Sequence, residues 1–440
     1  MDLSRAHVGH CQAAAFTRIQ GLRGVPTRSA NRCSRPACEV AGDTIGSVFT
    51  FSARSARIGE SATLKVSRRA KELAAAGRDI IDLSAGEPDF PSPAVAVEGA
   101  VEALRSGFTR YTENTGTPQL RGALAERYRR QYGAPWTAAD TLVTVGGKAA
   151  LFEVALALFD HGQEVIIPSP CWVSLPEQVR FAGATPVFVE THGEDGFRMH
   201  AEPVLQAMTE RTRGVILNSP CNPTGGVIQS ADLRRIVEAC AARGAVVIFD
   251  ETYERFLYDG AAHVSAAAFA AEFPDTVVVV GSFSKTYAMT GWRIGYALGP
   301  RPIIAAAANI QSHATSNPTS FAMSGALAAL CGAEPDVCAM IAEYEARRNL
   351  LIPALNEIPG FKCRPPAGAF YAFVDVSACF GGDVSGSLPF CEHLLETAGV
   401  AVVPGVAFGD DRYLRISFAC SRETLARGLE RMAAIAAARA

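Results

Sequence analysis

Four apolar runs in this chain each end on polar residues that could grip one ligand. Residues 142–145 lead into Gly146-Gly147-Lys148, ahead of a helical pattern. Glycines between a strand and a helix let backbone N–H groups and the helix dipole face an anion. Residues 214–218 lead into SPCNPTGG, where Asn222 is held in a turn between Pro220 and Pro223. Such an Asn can face a ligand or bond its own backbone. Residues 245–249 lead into Asp250 and, three residues on, Tyr253. An acid ending a buried strand is costly unless a cation pairs with it. Alone, Asp250 reads equally well as a helix N-cap. Residues 276–280 lead into Gly281-Ser282-Phe283-Ser284-Lys285-Thr286, with Arg293 eight residues past the lysine. Alone, Lys285 could be an ordinary surface lysine. Buried, it becomes a nucleophilic amine. Ser282 and Arg293 can hold a phosphate through a hydroxyl and a guanidinium.

The four strand ends together say more than any one of them. A phosphate nest, an amide, a carboxylate beside a phenol, and a lysine with Ser and Arg suit a single ligand. That ligand is a phosphorylated pyridine aldehyde, pyridoxal phosphate. Neither a Walker A motif nor a GxGxxG fingerprint occurs.

The elements that must hold these residues follow from periodicity. Residues 66–76, 93–105 and 120–132 have helical spacing, and 80–83 read as a short strand before Gly86-Glu87-Pro88-Asp89. Seven β-rich runs follow, at 142–145, 164–168, 185–189, 214–218, 245–250, 276–281 and 293–299. Helical patterns such as 149–159 and 231–243 separate several of them. The alternation predicts an α/β fold, a seven-stranded mostly parallel sheet covered on both faces. In such sheets ligands bind beyond the carboxyl ends of the strands. The last third changes character, with a long helix over 336–357, strands at 370–374, 400–403 and 413–418, and a closing helix from Arg422. This predicts a smaller α+β domain.

Composition excludes other classes. The 440 residues are 49% hydrophobic, enough for a sizeable core, and the net charge of −3 sets up no strong field toward nucleic acid or an acidic membrane. No apolar run is long enough for a membrane-spanning helix. Twelve cysteines lack Cys-x-x-Cys or zinc-finger spacing, so free thiols in a reducing compartment are expected, with no metal. Residues 1–55 carry Arg5, Arg18, Arg23, Arg28, Arg32 and Arg35 with few acids and no secretory apolar segment. They read as a disordered tail in preference to an organellar targeting segment, and the protein as cytoplasmic.

The motifs also carry a resemblance. SPCNPTG (219–225), DETY (250–253), SFSK (282–285) and MTGWRIG (289–295) resemble the fold-type I, class I aminotransferases. SAGEPDF (84–90), Tyr111 in RYTENTGTPQLR, SPCWVSL (169–175), AGAFY (367–371) and LRISF (414–418) support it. The likeness runs from about residue 61 to the C-terminus and is strongest to the bacterial and plastid aspartate aminotransferase branch. It implies a small domain built from 56–92 and 333–440 around a large coenzyme domain, 93–332. It implies that Lys285 bonds the coenzyme and later shuttles a proton between Cα and C4′. Asp250 would pair with the ring nitrogen, Asn222 and Tyr253 with the ring oxygen, and Trp172 would stack on the ring. Gly147, Lys148, Ser282 and Arg293 would hold the phosphate, and Tyr111 would reach the phosphate of a neighbouring subunit in a homodimer. Arg415 would grip the substrate α-carboxylate, with Gly86, Trp172 and Asn222 completing that end. Ser61 and Thr63 are candidate contacts for a substrate side chain.

Two departures stand out. Cys221 replaces the Asn that many relatives carry, and little effect is expected. Ile58-Gly59-Glu60 lacks the basic residue that relatives accepting prephenate tend to have before Ser-Ala-Thr, which speaks against that substrate. The expected reaction is transfer of an amino group from an L-amino acid, aspartate first, to a 2-oxo acid. The alternative on the same scaffold is elimination, replacement or ring formation on an activated amino acid such as S-adenosylmethionine. An effector-binding regulator would need a helix-turn-helix module, for which the N-terminal segment is too short and irregular.

Overall fold

The computed structural model describes residues 50–52, 55, 59 and 62–437. Nearly all of the expected tail, Ser61 and the Thr63 side chain lie outside the described residues. The first described elements are α1 (Ala62–Ala75), β1 (Ile81–Asp82), α2 (Ala94–Arg105) and α3 (Pro118–Tyr132). Pro118 sits in the first turn of α3, where its missing N–H costs nothing, and Gly133 ends the helix at φ +70°.

Strands and helices then alternate: β2 (Thr141–Thr144), α4 (Gly147–Leu158), β3 (Glu164–Ser169), α5 (Ser174–Phe181), β4 (Thr185–Glu190), α6 (Ala201–Gln206), β5 (Thr212–Asn218), α7 (Ser230–Ala241), β6 (Val246–Asp250), β7 (Val277–Ser282), α8 (Phe283–Thr286) and β8 (Gly295–Leu298). After them come α9 (Arg301–Ala314), α10 (Ser320–Gly332) and α11 (Glu334–Asn356). The last stretch holds β9 (Tyr371–Asp375), α12 (Ser387–His393), β10 (Val400–Ala401), β11 (Val403–Pro404), β12 (Tyr413–Ser417) and α13 (Arg422–Ala437).

All seven expected strands form one sheet, ordered β2-β8-β7-β6-β5-β3-β4. β8 runs antiparallel to both neighbours, and every other pairing is parallel. Alternate side chains feed two cores, as a strand's period of two requires. Val215, Leu217, Val247 and Phe249 join one core with Leu233 and Ile236 of α7. Ile216, Ile248, Val278 and Val280 join the other with Leu151 and Val154 of α4 and Ile304 of α9. Each fully buried Val, Ile or Leu contributes about 1.5–3 kcal/mol, so the helices are held chiefly by these faces. A third core gathers Tyr371, Val374, Leu414 and Ile416 of β9 and β12 with Tyr344 and Leu351 of α11.

Two expectations need correcting. The run 293–299 starts as strand only at Gly295, because Arg293 takes a left-handed φ of 58° that no strand accommodates. The run 400–403 splits at Val402. β10 pairs parallel with β1, while β11 pairs antiparallel with β12. Among the described residues, no single helix is long and apolar enough to cross a membrane.

Candidate active site

The register of the large sheet sets its strand ends abreast. Asn218 lies opposite Asp250, Asp250 opposite Val280, and Ser282 and Thr144 both opposite Gly295. Just beyond this edge is a cavity of about 450 Å³. Gly86, Gly147, Lys148, Trp172, Asn222, Asp250, Tyr253, Ser282, Lys285, Arg293 and Arg415 all line it. Tyr111 does not: it is 91% exposed.

One end is built for an anion. Gly147 opens α4 at the cavity wall with no side chain capping it, so the positive end of the helix dipole lies at the cavity. A Cβ on Gly147 would come 3.3 Å from the Ser282 side chain, which explains a glycine there. The Ser282 hydroxyl accepts from the Ser284 N–H at 3.0 Å and donates to the Ser284 hydroxyl at 2.8 Å. The left-handed backbone of Arg293 aims its guanidinium back against Gly146 while one N–H donates to the Thr290 carbonyl at 2.8 Å. Lys148 lies over the Trp172 ring, 4.9 Å from its centre. Burial and then Arg293 lower its pKa.

The middle holds the acid and the amine. Asp250 is 3% exposed, and among the described residues no cation pairs with it. Burial pushes its pKa up to about 6, against hydrogen bonds from Thr252 that pull it down. Lys285, on α8, donates to the Gly86 carbonyl. Burial brings its amine down to about 8; Arg415, Arg293 and Lys148 add to the fall and Glu87 opposes it. An amine so placed is partly free base at neutral pH, as a nucleophile requires.

The far end takes a carboxylate. Arg415 is 4% exposed at the centre of β12. Its Nη1 donates to Asn222 Oδ1 at 3.1 Å and its Nη2 to the Ser84 carbonyl at 2.8 Å. Its Nε is buried without a partner, and among the described residues no carboxylate pairs with it. Tyr371 lies under the guanidinium at 4.3 Å, and its hydroxyl meets that of Tyr253 at 2.8 Å.

Among the lining residues that the sequence left without a role, three shape the site. Ser284 is bonded to Ser282. Asn218 accepts the Asn222 N–H at 2.8 Å and donates to the Asp250 carbonyl at 3.1 Å, tying the two strand ends together. Tyr371 separates Arg415 from Tyr253. Ser284 was visible within SFSK and Tyr371 within AGAFY, but no spacing rule gave either a partner.

Charge balance fits the expected coenzyme. Lys71, Lys148, Lys285, Arg293 and Arg415 face the cavity against Asp82, Glu87 and Asp250. The excess is positive and is concentrated where anions would sit. Of the acids that line the cavity, Asp250 is the buried one without a cation among the described residues, and it lies where a protonated ring nitrogen would supply it. Gly147, Ser282 and Arg293 could hold the phosphate, and Lys285 the aldehyde carbon.

Comparison with known proteins agrees. The family described as aminotransferase class I and II matches residues 78–432. The aspartate aminotransferase of Geobacillus stearothermophilus is 43% identical over 389 residues, covering 88% of this chain and 99% of that one. A probable aspartate/prephenate aminotransferase of Aquifex aeolicus is 42% identical over 384 residues, covering 87% and 97%. Among solved structures, the Thermus thermophilus aspartate aminotransferase with maleate matches with a TM-score of 0.84 at 42% identity, over 88% of this chain and 100% of that one. The Rhizobium meliloti enzyme gives a TM-score of 0.85 at 39% identity, over 88% and 99%.

Proposed function

Because the chain belongs to the class I and II aminotransferase family, and is a pyridoxal-phosphate-dependent aminotransferase acting on amino and 2-oxo acids, we propose that aspartate is its amino donor and 2-oxoglutarate its first acceptor. The observation that carries this reading is Arg415, buried in the cavity wall with its Nε unpartnered and, among the described residues, no carboxylate against it. It would take the α-carboxylate of the donor and of the acceptor. The names of the relatives support the same choice.

Each residue then has a stated task. Arg415 binds the α-carboxylate through a planar fork, with Asn222 and Gly86 beside it. Lys285 holds the coenzyme and, once released, moves the proton at Cα. Bound there, the coenzyme supplies an electron sink for the pair left when that proton departs. Asp250 keeps the ring nitrogen protonated, Asn222 and Tyr253 bond the ring oxygen, and Trp172 packs on the ring face. Gly147, Lys148, Ser282 and Arg293 secure the phosphate through the start of α4, a hydroxyl and a guanidinium. The exposure of Tyr111 supports a homodimer in which it completes the neighbour's phosphate site. The domain division at residues 92 and 332 and a cytoplasmic location belong to the same reading.

The test combines labelling with assay. Borohydride reduction of the purified holoenzyme should fix the coenzyme on the peptide containing Lys285. Aspartate with 2-oxoglutarate should yield oxaloacetate and glutamate. A label elsewhere would overturn the site, and inertness toward aspartate with turnover of a monocarboxylic donor would overturn the substrate.

A further inference from the structure

The hydroxyls of Tyr253 and Tyr371 share one hydrogen bond, 2.8 Å long, in the cavity wall. Two phenols carry two protons, and one bond uses only one of them. Which phenol donates decides where the other proton can point. The more acidic phenol is the better donor. Arg415 stacks over the Tyr371 ring at 4.3 Å and favours negative charge on it. Burial, the Tyr371 hydroxyl and, last, Asp250 hold the Tyr253 proton more tightly, against Arg415, which also faces it. Other charges facing the cavity are Lys71, Asp82, Glu87, Lys148, Lys285 and Arg293. Among the described residues, Tyr253 is the acceptor within reach of the Tyr371 hydroxyl. Gly86 closes the other side, where even a Cβ would stand 3.1 Å from that oxygen.

We propose that Tyr371 is a positioning residue. It donates to the Tyr253 oxygen and so turns the Tyr253 proton into the cavity, toward the ring oxygen of the coenzyme. The inference rests on the coenzyme placement proposed above. It makes the wall of the substrate carboxylate site part of the machinery that sets the proton affinity of the coenzyme-linked nitrogen. A donor to the ring oxygen stabilises negative charge there and lowers that affinity.

The test is a pH titration of the visible absorbance of the holoenzyme. Tyr253→Phe should raise the midpoint by about one pH unit, the scale of one lost hydrogen bond to a charged oxygen. Tyr371→Phe should raise it by several tenths of a unit, because Tyr253 loses the polarisation that makes it a strong donor. The double variant should match Tyr253→Phe alone, since the effect of Tyr371 passes through Tyr253. A fall, or no change, in Tyr371→Phe would mean that Tyr253 donates outward and would overturn the proposal. So would a double variant showing the sum of both shifts. Should Tyr371→Phe fail to fold, 3-fluorotyrosine at position 371 makes a more acidic phenol and should lower the midpoint; a rise or no change would overturn the proposal. A Lys285→Ala protein that kept the wild-type titration would sink the coenzyme placement itself, a separate result.

Discussion

Five consecutive residues, Asp250 to Glu254, carry three buried acids that face two different environments. Asp250 faces the cavity, and among the described residues no cation meets it. Glu251 accepts from the Tyr128 hydroxyl and meets His263 Nε2 at 3.0 Å, while Glu254 pairs with Arg127. The last two acids are satisfied within the chain. Beside them lies a cavity of about 370 Å³ lined by Arg127, Tyr132 and His263. Burial alone therefore does not mark a functional carboxylate. Nor does the lack of a cation, since buried Glu153 has none among the described residues and does not line the cavity; what sets Asp250 apart is that it is buried, without a cation and facing the cavity where one could be supplied.

Four changes would break or sharpen that contrast. Lys285→Ala should abolish borohydride labelling and cut turnover by at least about 10⁴-fold, the upper range of a positioned acid–base group, with the melting temperature little changed. Arg415→Ala should lower kcat/KM by about 10²–10⁴-fold, the worth of two charged hydrogen bonds at 1.5–3 kcal/mol each. Labelling of Lys285 should survive it. On the other side of the segment, Arg127→Met strands Glu254 and should cost about 3–5 kcal/mol in denaturant unfolding. Its activity per folded molecule should stay near wild type. A large loss of kcat there would erase the distinction between the two environments.

The smallest effect concerns Asp250 without coenzyme. Its folded pKa is raised from an ordinary 3.8 to about 6. The stabilising contribution of the protonated acid is thus complete below pH 3.8 and is lost as pH rises through about 6. Asp250→Asn apoenzyme should therefore be more stable than wild-type apoenzyme at pH 7, by on the order of 2–3 kcal/mol. The gap should close between pH 6 and pH 4, as measured by chemical unfolding. A variant apoenzyme less stable at neutral pH would show that a cation already serves Asp250.

Much of this was legible in the sequence because the information was local. Each strand of the large sheet is a short β-rich run bounded by turn residues, and the chemical residues follow within a few positions. What escaped notice lacked local contrast. α10 (SFAMSGALAALCG) is apolar in sequence on nearly every side, so it shows no amphipathic stripe, even though its buried Ala322, Met323, Ala326 and Ala329 share one face. α9 and α5 also went unread. The break at Val402 comes from two different partner strands, β1 and β12, far away in sequence. Tyr371 and Asn218 gain their roles only through contacts 118 and 32 residues away. No periodicity announces such contacts.

The antiparallel course of β8 has an engineering corollary. Because β8 begins at the ligand edge where β7 ends, the excursion between them delivers Ser282, Lys285 and Arg293 from one continuous piece of chain. The proposed covalent anchor and anion clamp therefore travel as a cassette, with Gly295 packed against Gly147 as its docking point. Transplanting this chemistry into another member of the fold calls for moving residues 282–295 as a block, and the Arg415 end must come with the Asn222 and Tyr371 contacts that tie it to the same cavity.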